Sequence, residues 1–154
     1  MQVWRLCQAK HQATAFSGEG ARLYGGRWHH KGQAAVYTAS TQSLAALEIL
    51  AHIDTDLIPN NFVAFAVDIP DQEIAITQVF ATDLPSDWRE AYPPLSCQLV
   101  GSQWLSQTQT AVLRVPSAII PQEQNFILNP AHPDFSKLSI HLANAFNFDH
   151  RLWR

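Results

Sequence analysis

The chain has 154 residues, of which 47% are hydrophobic, 10% aromatic and only 15% charged, with a formal net charge of −3. That length suits one compact domain able to bury a core, and the charged fraction lies well below the roughly 25% of an average globular protein. Disorder is excluded, because disordered chains combine few aromatics with much charge; a generally basic nucleic-acid binder is excluded as well, because 10 Lys and Arg face 13 Asp and Glu.

In chain order, residues 3–7 read as a first strand. Residues 16–33 carry five of the six glycines and read as a long ordered loop. A short strand is expected over 34–38. A helix capped by Ser40 or Thr41 then runs to about Ile53, with Leu44, Leu47, Leu50 and Ala51 at helical spacing. Residues 62–69 (FVAFAVDI) form a strong strand closed by Pro70, and 74–79 a weaker one. A short helix is expected over 88–92 and a second long one over 95–106. Strands follow at 111–115 and 118–120, broken at Pro116-Ser117, with further short strands at 126–128, 138–142 and 146–148. Dominant strands and few helices predict an α+β single domain spanning 1–154.

The charge is uneven. Residues 1–31 hold Arg5, Lys10, Arg22, Arg27 and Lys31 against Glu19, a local balance of +4, so the remainder carries −7. A basic N-terminal stretch of an acidic domain suits a small anion such as phosphate; a chance clustering of surface charge is the alternative. Cys7 and Cys97 show no CxxC spacing, which predicts ordinary thiols. No signal-peptide core opens the chain and no apolar run approaches the roughly 18 residues of a membrane span, so a soluble, cytoplasmic protein is expected.

Several chemistries fit poorly. Gly18, Gly20, Gly25 and Gly26 do not make a dinucleotide fingerprint, since Leu23 takes the third glycine position, and no phosphate-binding GxxxxGK[ST] loop occurs. What remains is a loop ending in Gly25-Gly26-Arg27-Trp28, where Arg27 offers a guanidinium fork to phosphate or Trp28 simply enters the core. The seven histidines are scattered without HExxH, and His29 and His30 are adjacent, so no metal site is expected. Ser117 lacks the GxSxG elbow of esterases. Glu48 is the sharper signal: it shares a stripe with Leu44, Leu47 and Ala51 on a helix that reads as largely buried. A buried carboxylate is costly unless partnered, so Glu48 is either a structural partner or an active-site group.

One carboxylate with several arginines fits loss of nicotinamide from NAD. The pyridinium leaves as a neutral amine and needs no general acid; the enzyme must hold the pyrophosphate and stabilise an oxocarbenium-like ribose. Arg5, Arg27 and Glu48 meet those needs, as one option among several.

GGRW (25–28), VYTA (36–39) with SLAALE (43–48), VLRVPS (112–117) and NPAHPDF (129–135) together resemble the RES domain family, from about Trp4-Arg5 to Phe148. The family's eponymous arginine, glutamate and serine match Arg27, Glu48 and Ser117. The resemblance implies an ADP-ribosyltransferase-like split, mostly antiparallel sheet with a few surrounding helices. It also implies the toxin of a bacterial toxin–antitoxin pair, whose partner is an Xre-like helix-turn-helix antitoxin. Nucleic acid would be met only through that partner. The implied activity is NAD+ degradation, with NAD+ as substrate rather than cofactor and phosphate or water as acceptor. Protein ADP-ribosylation and a non-catalytic antitoxin-binding module are the alternatives. Carried over by residue, Arg27 binds phosphate, Tyr37 frames the nicotinamide ribose, Glu48 favours the cationic transition state, Ser117 holds a hydroxyl or the acceptor, and Arg5 adds to phosphate binding. Trp28 and Asn129 lie in matching motifs as candidate NAD contacts or core residues.

Overall fold

The computed structural model describes residues 1–54 and 60–153. In chain order it holds β1 (Gln2–Gln8), α1 (Glu19–Tyr24), β2 (Val36–Ala39), α2 (Gln42–Leu50), β3 (Phe62–Asp68), β4 (Ile76–Gln78), α3 (Leu95–Gln107), β5 (Val112–Pro116), β6 (Gln124–Leu128), β7 (Ser139–Ile140) and β8 (Asn144–Phe146). The strands form one sheet in the order β4-β5-β6-β2-β1-β3-β7, with β8 also on β3. Among the described residues β4 and β5 run parallel, and the other pairings are antiparallel. The fold is thus mixed, with a mostly antiparallel sheet and few helices.

The sheet is open near its middle. β1 lies along β3 over its full length, from Gln2–Asp68 to Gln8–Phe62, and β2 lies along β6 from Val36–Leu128 to Ala39–Asn125. β1 and β2 meet at one register pair, Trp4–Ala39. Beyond it the two strands no longer pair, and residues of both border a cavity.

Period-two alternation sorts the strand side chains onto two faces. Leu113, Val115 and Ile127 pack with Trp28, Trp88, Cys97, Trp104 and Leu105 beneath α3. On the other face Val3, Val36, Val67, Val112, Phe126 and Leu128 pack with Ile69, Ile74 and Leu138. α2 buries Leu44 and Ala45 against Leu6, Ala39 and Ala64. The largely buried helix expected from its composition is therefore half-buried instead: Leu47 is 39% exposed, and α2 stops at Leu50. Thr41 begins it, in an extended conformation with its side chain accepting from the Leu44 amide at 3.0 Å. Thr41→Ala removes that cap and is expected to cost about 1 kcal/mol, read as a melting temperature lower by roughly 2–4 °C.

Three expected elements differ. The glycine-rich loop over 16–33 contains α1, set between Gly18 and Gly25, whose φ angles of 73° and 72° suit glycine. The helix expected over 88–92 is a series of turns, because the Trp88 and Glu90 carbonyls accept from the Arg27 guanidinium. The strand expected over 118–120 is a bend, because the Ile119 and Ile120 amides donate to the Ser117 hydroxyl and not to a neighbouring strand.

Candidate active site

A cavity of about 580 Å³ lies at the fork, lined by β1 from Trp4 to Gln8, by Tyr37 and Thr38 of β2, by α1, by Glu48 of α2 and by Asn125 of β6. Its size falls within the usual range for small-molecule sites, roughly 300–1,000 Å³.

Glu48 is held on one side. Its Oε1 accepts from the Ser117 hydroxyl at 2.8 Å and from the Asn125 side-chain amide at 2.5 Å. Ser117 is completely buried, and its oxygen also accepts from the Ile119 and Ile120 amides, both at 3.1 Å. A hydroxyl has one proton and two lone pairs, so the carboxylate and the two amides use all three. Ser117 is not among the residues around the cavity, whereas Glu48 and Asn125 are. Asn125 is 9% exposed and its Oδ1 has no partner among the described residues, which leaves a buried acceptor beside the carboxylate.

The cavity's arginines are spent on carbonyls. Arg5 donates from Nη1 to the Tyr37 carbonyl at 2.9 Å, from β1 to β2, and its buried Nε has no partner among the described residues. Burial lowers its pKa from the ordinary arginine value, yet a guanidinium stays charged in proteins. Arg27 donates to the Trp88 and Glu90 carbonyls at 2.7 and 2.8 Å. Among the described residues no carboxylate lies within ion-pair distance of either cation. Glu19, also on the cavity, is paired with Arg22. Two cations without counter-charge therefore border a cavity whose one unpaired carboxylate is fixed at Oε1.

Tyr37 lines the cavity, and its hydroxyl lies 2.8 Å from His29 Nδ1 and 3.2 Å from the Trp28 amide. Burial pushes the phenol up from its ordinary pKa. Trp28 itself is 2% exposed and packs against Trp88 with ring centroids 6.5 Å apart. Asn129 is not among the cavity residues: its Oδ1 accepts from the Ala131 amide at 3.0 Å, shaping the turn after β6. The structure thus brings Arg5, Arg27, Trp28, Tyr37 and Glu48 to one cavity, sets Ser117 behind Glu48, and leaves Asn129 apart. Sequence reasoning missed Asn125 and His29. The one signal for Asn125 was an amide inside the apolar QNFIL strand.

A mixed, mostly antiparallel sheet joined at a single β1–β2 pair, with a cavity beside that pair bordered by two cations and one braced carboxylate, defines a small domain of strands and few helices with a candidate small-molecule site. The chain belongs to the RES domain family, whose pattern matches residues 2–150. It is 44% identical over 137 residues to "Toxin Res" of Photorhabdus laumondii subsp. laumondii, covering 89% of this chain and 86% of that one. It is 36% identical over 155 residues to the "Prs ADP-ribosylating toxin" of Sphingobium sp., covering 98% and 96%. The fold is similar to that in the crystal structure of the M. tuberculosis MbcT–MbcA toxin–antitoxin complex, with a TM-score of 0.73 at 20% identity, over 95% of this chain and 84% of that one.

Proposed function

We propose that the protein consumes NAD+ by breaking the nicotinamide–ribose bond, as the toxin of a toxin–antitoxin pair with an Xre-like helix-turn-helix antitoxin. The observation that carries this reading is the cavity's charge pattern: Arg5 and Arg27 without counter-charge, and Glu48 braced by Ser117 and Asn125, around one cavity. A pyrophosphate matches the cations. A ribose that becomes cationic matches the carboxylate, which is already oriented when the charge develops.

In the proposed reaction the C–N bond electrons leave with the pyridinium nitrogen, so nicotinamide departs neutral and the ribose carbon becomes oxocarbenium-like. Glu48 Oε2 accepts from a ribose hydroxyl and stabilises that cation. Asn125 Oδ1 accepts a second substrate donor. Tyr37 offers its ring to the nicotinamide ribose, and Arg5 and Arg27 hold phosphate oxygens. Ser117 acts through Glu48 by fixing its orientation. An oxygen of phosphate or water then bonds to the ribose carbon; with water, one proton is released. The relatives named as toxins support the biological setting, and the fork in the sheet supports an ADP-ribosyltransferase-like reading of the fold.

The test is to incubate purified protein with NAD+, with and without phosphate, and identify products. ADP-ribose-1″-phosphate means phosphorolysis, free ADP-ribose means hydrolysis, and a labelled protein means ADP-ribosyl transfer. Intact NAD+ at high enzyme concentration overturns the proposal and leaves a non-catalytic antitoxin-binding module.

A further inference from the structure

His29 is 1% exposed and takes no part in the chemistry proposed above. Its Nε2 lies 3.0 Å from the Ala21 carbonyl and its Nδ1 lies 2.8 Å from the Tyr37 hydroxyl. A carbonyl only accepts, so Nε2 carries the proton. The neutral ring then has a lone pair on Nδ1, and the Tyr37 O–H donates to it. The phenol oxygen accepts from the Trp28 amide at 3.2 Å, so the hydroxyl orientation is fully determined. The fit is close: a Cβ on Gly26 would lie 2.7 Å from the phenol oxygen and 3.2 Å from His29 Cε1.

The other end of the imidazole holds a helix that has few other ties, chiefly Ala21 packed against the cluster under α3 and the Glu19 amide donating to the Ser17 hydroxyl at 3.2 Å. α1 has six residues, none of them buried, and no side-chain cap at its N-terminus. Outside its own turns, the Gly32 amide donates to the Arg22 carbonyl at 2.8 Å, and His29 donates to Ala21. Yet Gly20, Ala21 and Tyr24 of this helix line the cavity. A six-residue helix is too short to persist by propensity alone, so its place on the cavity depends on such ties.

We infer that His29 is a positioning residue: as the neutral Nε2–H tautomer it ties the α1 wall of the cavity to Tyr37 and so sets the shape in which NAD+ binds. The inference rests on the NAD+ reading above. It assigns His29 to substrate binding and not to bond cleavage, since the partners of Glu48 are Ser117 and Asn125. Acid should undo the tie. Protonated Nδ1 would aim an N–H at the phenol oxygen, and the hydroxyl proton would have to turn away. The titratable and charged groups around the ring are Tyr37 on β2, His30 and Arg27 on the same loop, and the Glu19–Arg22 pair on α1; α3 presents the uncharged Gln98 and Ser102 to this loop. Burial, and secondarily the neighbouring His30, hold its titration below the ordinary histidine value, against the opposing pull of the Ala21 carbonyl. The neutral tie therefore persists at neutral pH and fails as the pH falls through that lowered value.

The experiment measures KM and kcat for NAD+ against pH in the wild type, His29→Gln and His29→Ala, and separately the rate of trypsin cleavage after Arg22 without NAD+. Expected for His29→Ala is a KM raised about tenfold with kcat within about twofold, the signature of lost ground-state positioning. Wild-type kcat/KM should fall on an acid limb with a His29 component that His29→Gln, whose amide keeps a donor and an acceptor but does not titrate, lacks. Trypsin should cut His29→Ala faster than wild type, with His29→Gln between them. An unchanged KM in His29→Ala, an acid limb in His29→Gln identical to that of the wild type, or equal cleavage rates would overturn the assignment. Should the wild type leave NAD+ intact, the NAD+ reading fails by itself, and the cleavage rates still decide whether His29 holds α1.

Discussion

Glu48→Gln is expected to lower the rate of NAD+ consumption by about 10²–10³-fold while the protein keeps its fold. Glutamine is nearly isosteric with glutamate, and its carbonyl oxygen can accept the same hydrogen bonds from Ser117 and Asn125 that Oε1 accepts now. What disappears is the negative charge, whose value lies in being oriented before the ribose becomes cationic; removing one such preorganised group costs roughly that factor. Ser117→Ala should behave differently. It frees Glu48 to rotate and strands the Ile119 and Ile120 amides, which now donate to the hydroxyl. A buried amide left unpaired costs about 1–3 kcal/mol; these two belong to half-buried residues, so this variant should lose some stability together with activity. Product assays and thermal melts on both variants separate the two roles. Wild-type turnover by Glu48→Gln would remove the carboxylate from the mechanism, and an unaltered melt for Ser117→Ala would remove the serine from its bracing position.

The elements legible in the sequence are those whose pattern is local. The run FVAFAVD became β3, and the Thr41 cap with Leu44 behind it became the start of α2. Elements decided by a distant partner were not legible. Arg27 takes the carbonyls of Trp88 and Glu90, some sixty positions on, and a helix that the spacing suggested is a set of turns. α1 carries no buried residue, so no apolar period announces it. The site divides in the same way. Arg5, Arg27, Tyr37 and Glu48 reach the cavity and were picked out by motif and charge. Asn125 owes its importance to a distant contact, the Asn125–Glu48 bond between residues 77 apart in sequence, and His29 to side-chain contacts eight positions away on either side. Nothing in their own neighbourhoods requires those partners.

Gly101 offers the sharpest test of how the site is held, because local and tertiary physics give opposite signs there. It sits inside α3, where alanine is favoured over glycine by about 1 kcal/mol. A Cβ at this position, however, would lie 1.7 Å from the Trp28 carbonyl oxygen and 2.7 Å from its carbonyl carbon. Both obstacles are backbone, so no side-chain rotation relieves the overlap, and either α3 or the segment around Trp28 must move. Overpacking of this kind costs about 1–3 kcal/mol and occasionally more; with backbone on both sides of the clash, Gly101→Ala is expected at or above the upper end, a net loss even after the helix gain. Moving the Trp28 segment also shifts Arg27, the Trp28 amide on the Tyr37 hydroxyl, and His29. Urea denaturation should therefore show a lower midpoint, and NAD+ turnover should fall even at temperatures where the variant stays folded. A midpoint equal to or above that of the wild type would show that α3 and the Trp28 loop are not in the close contact that positions Arg27 at the cavity.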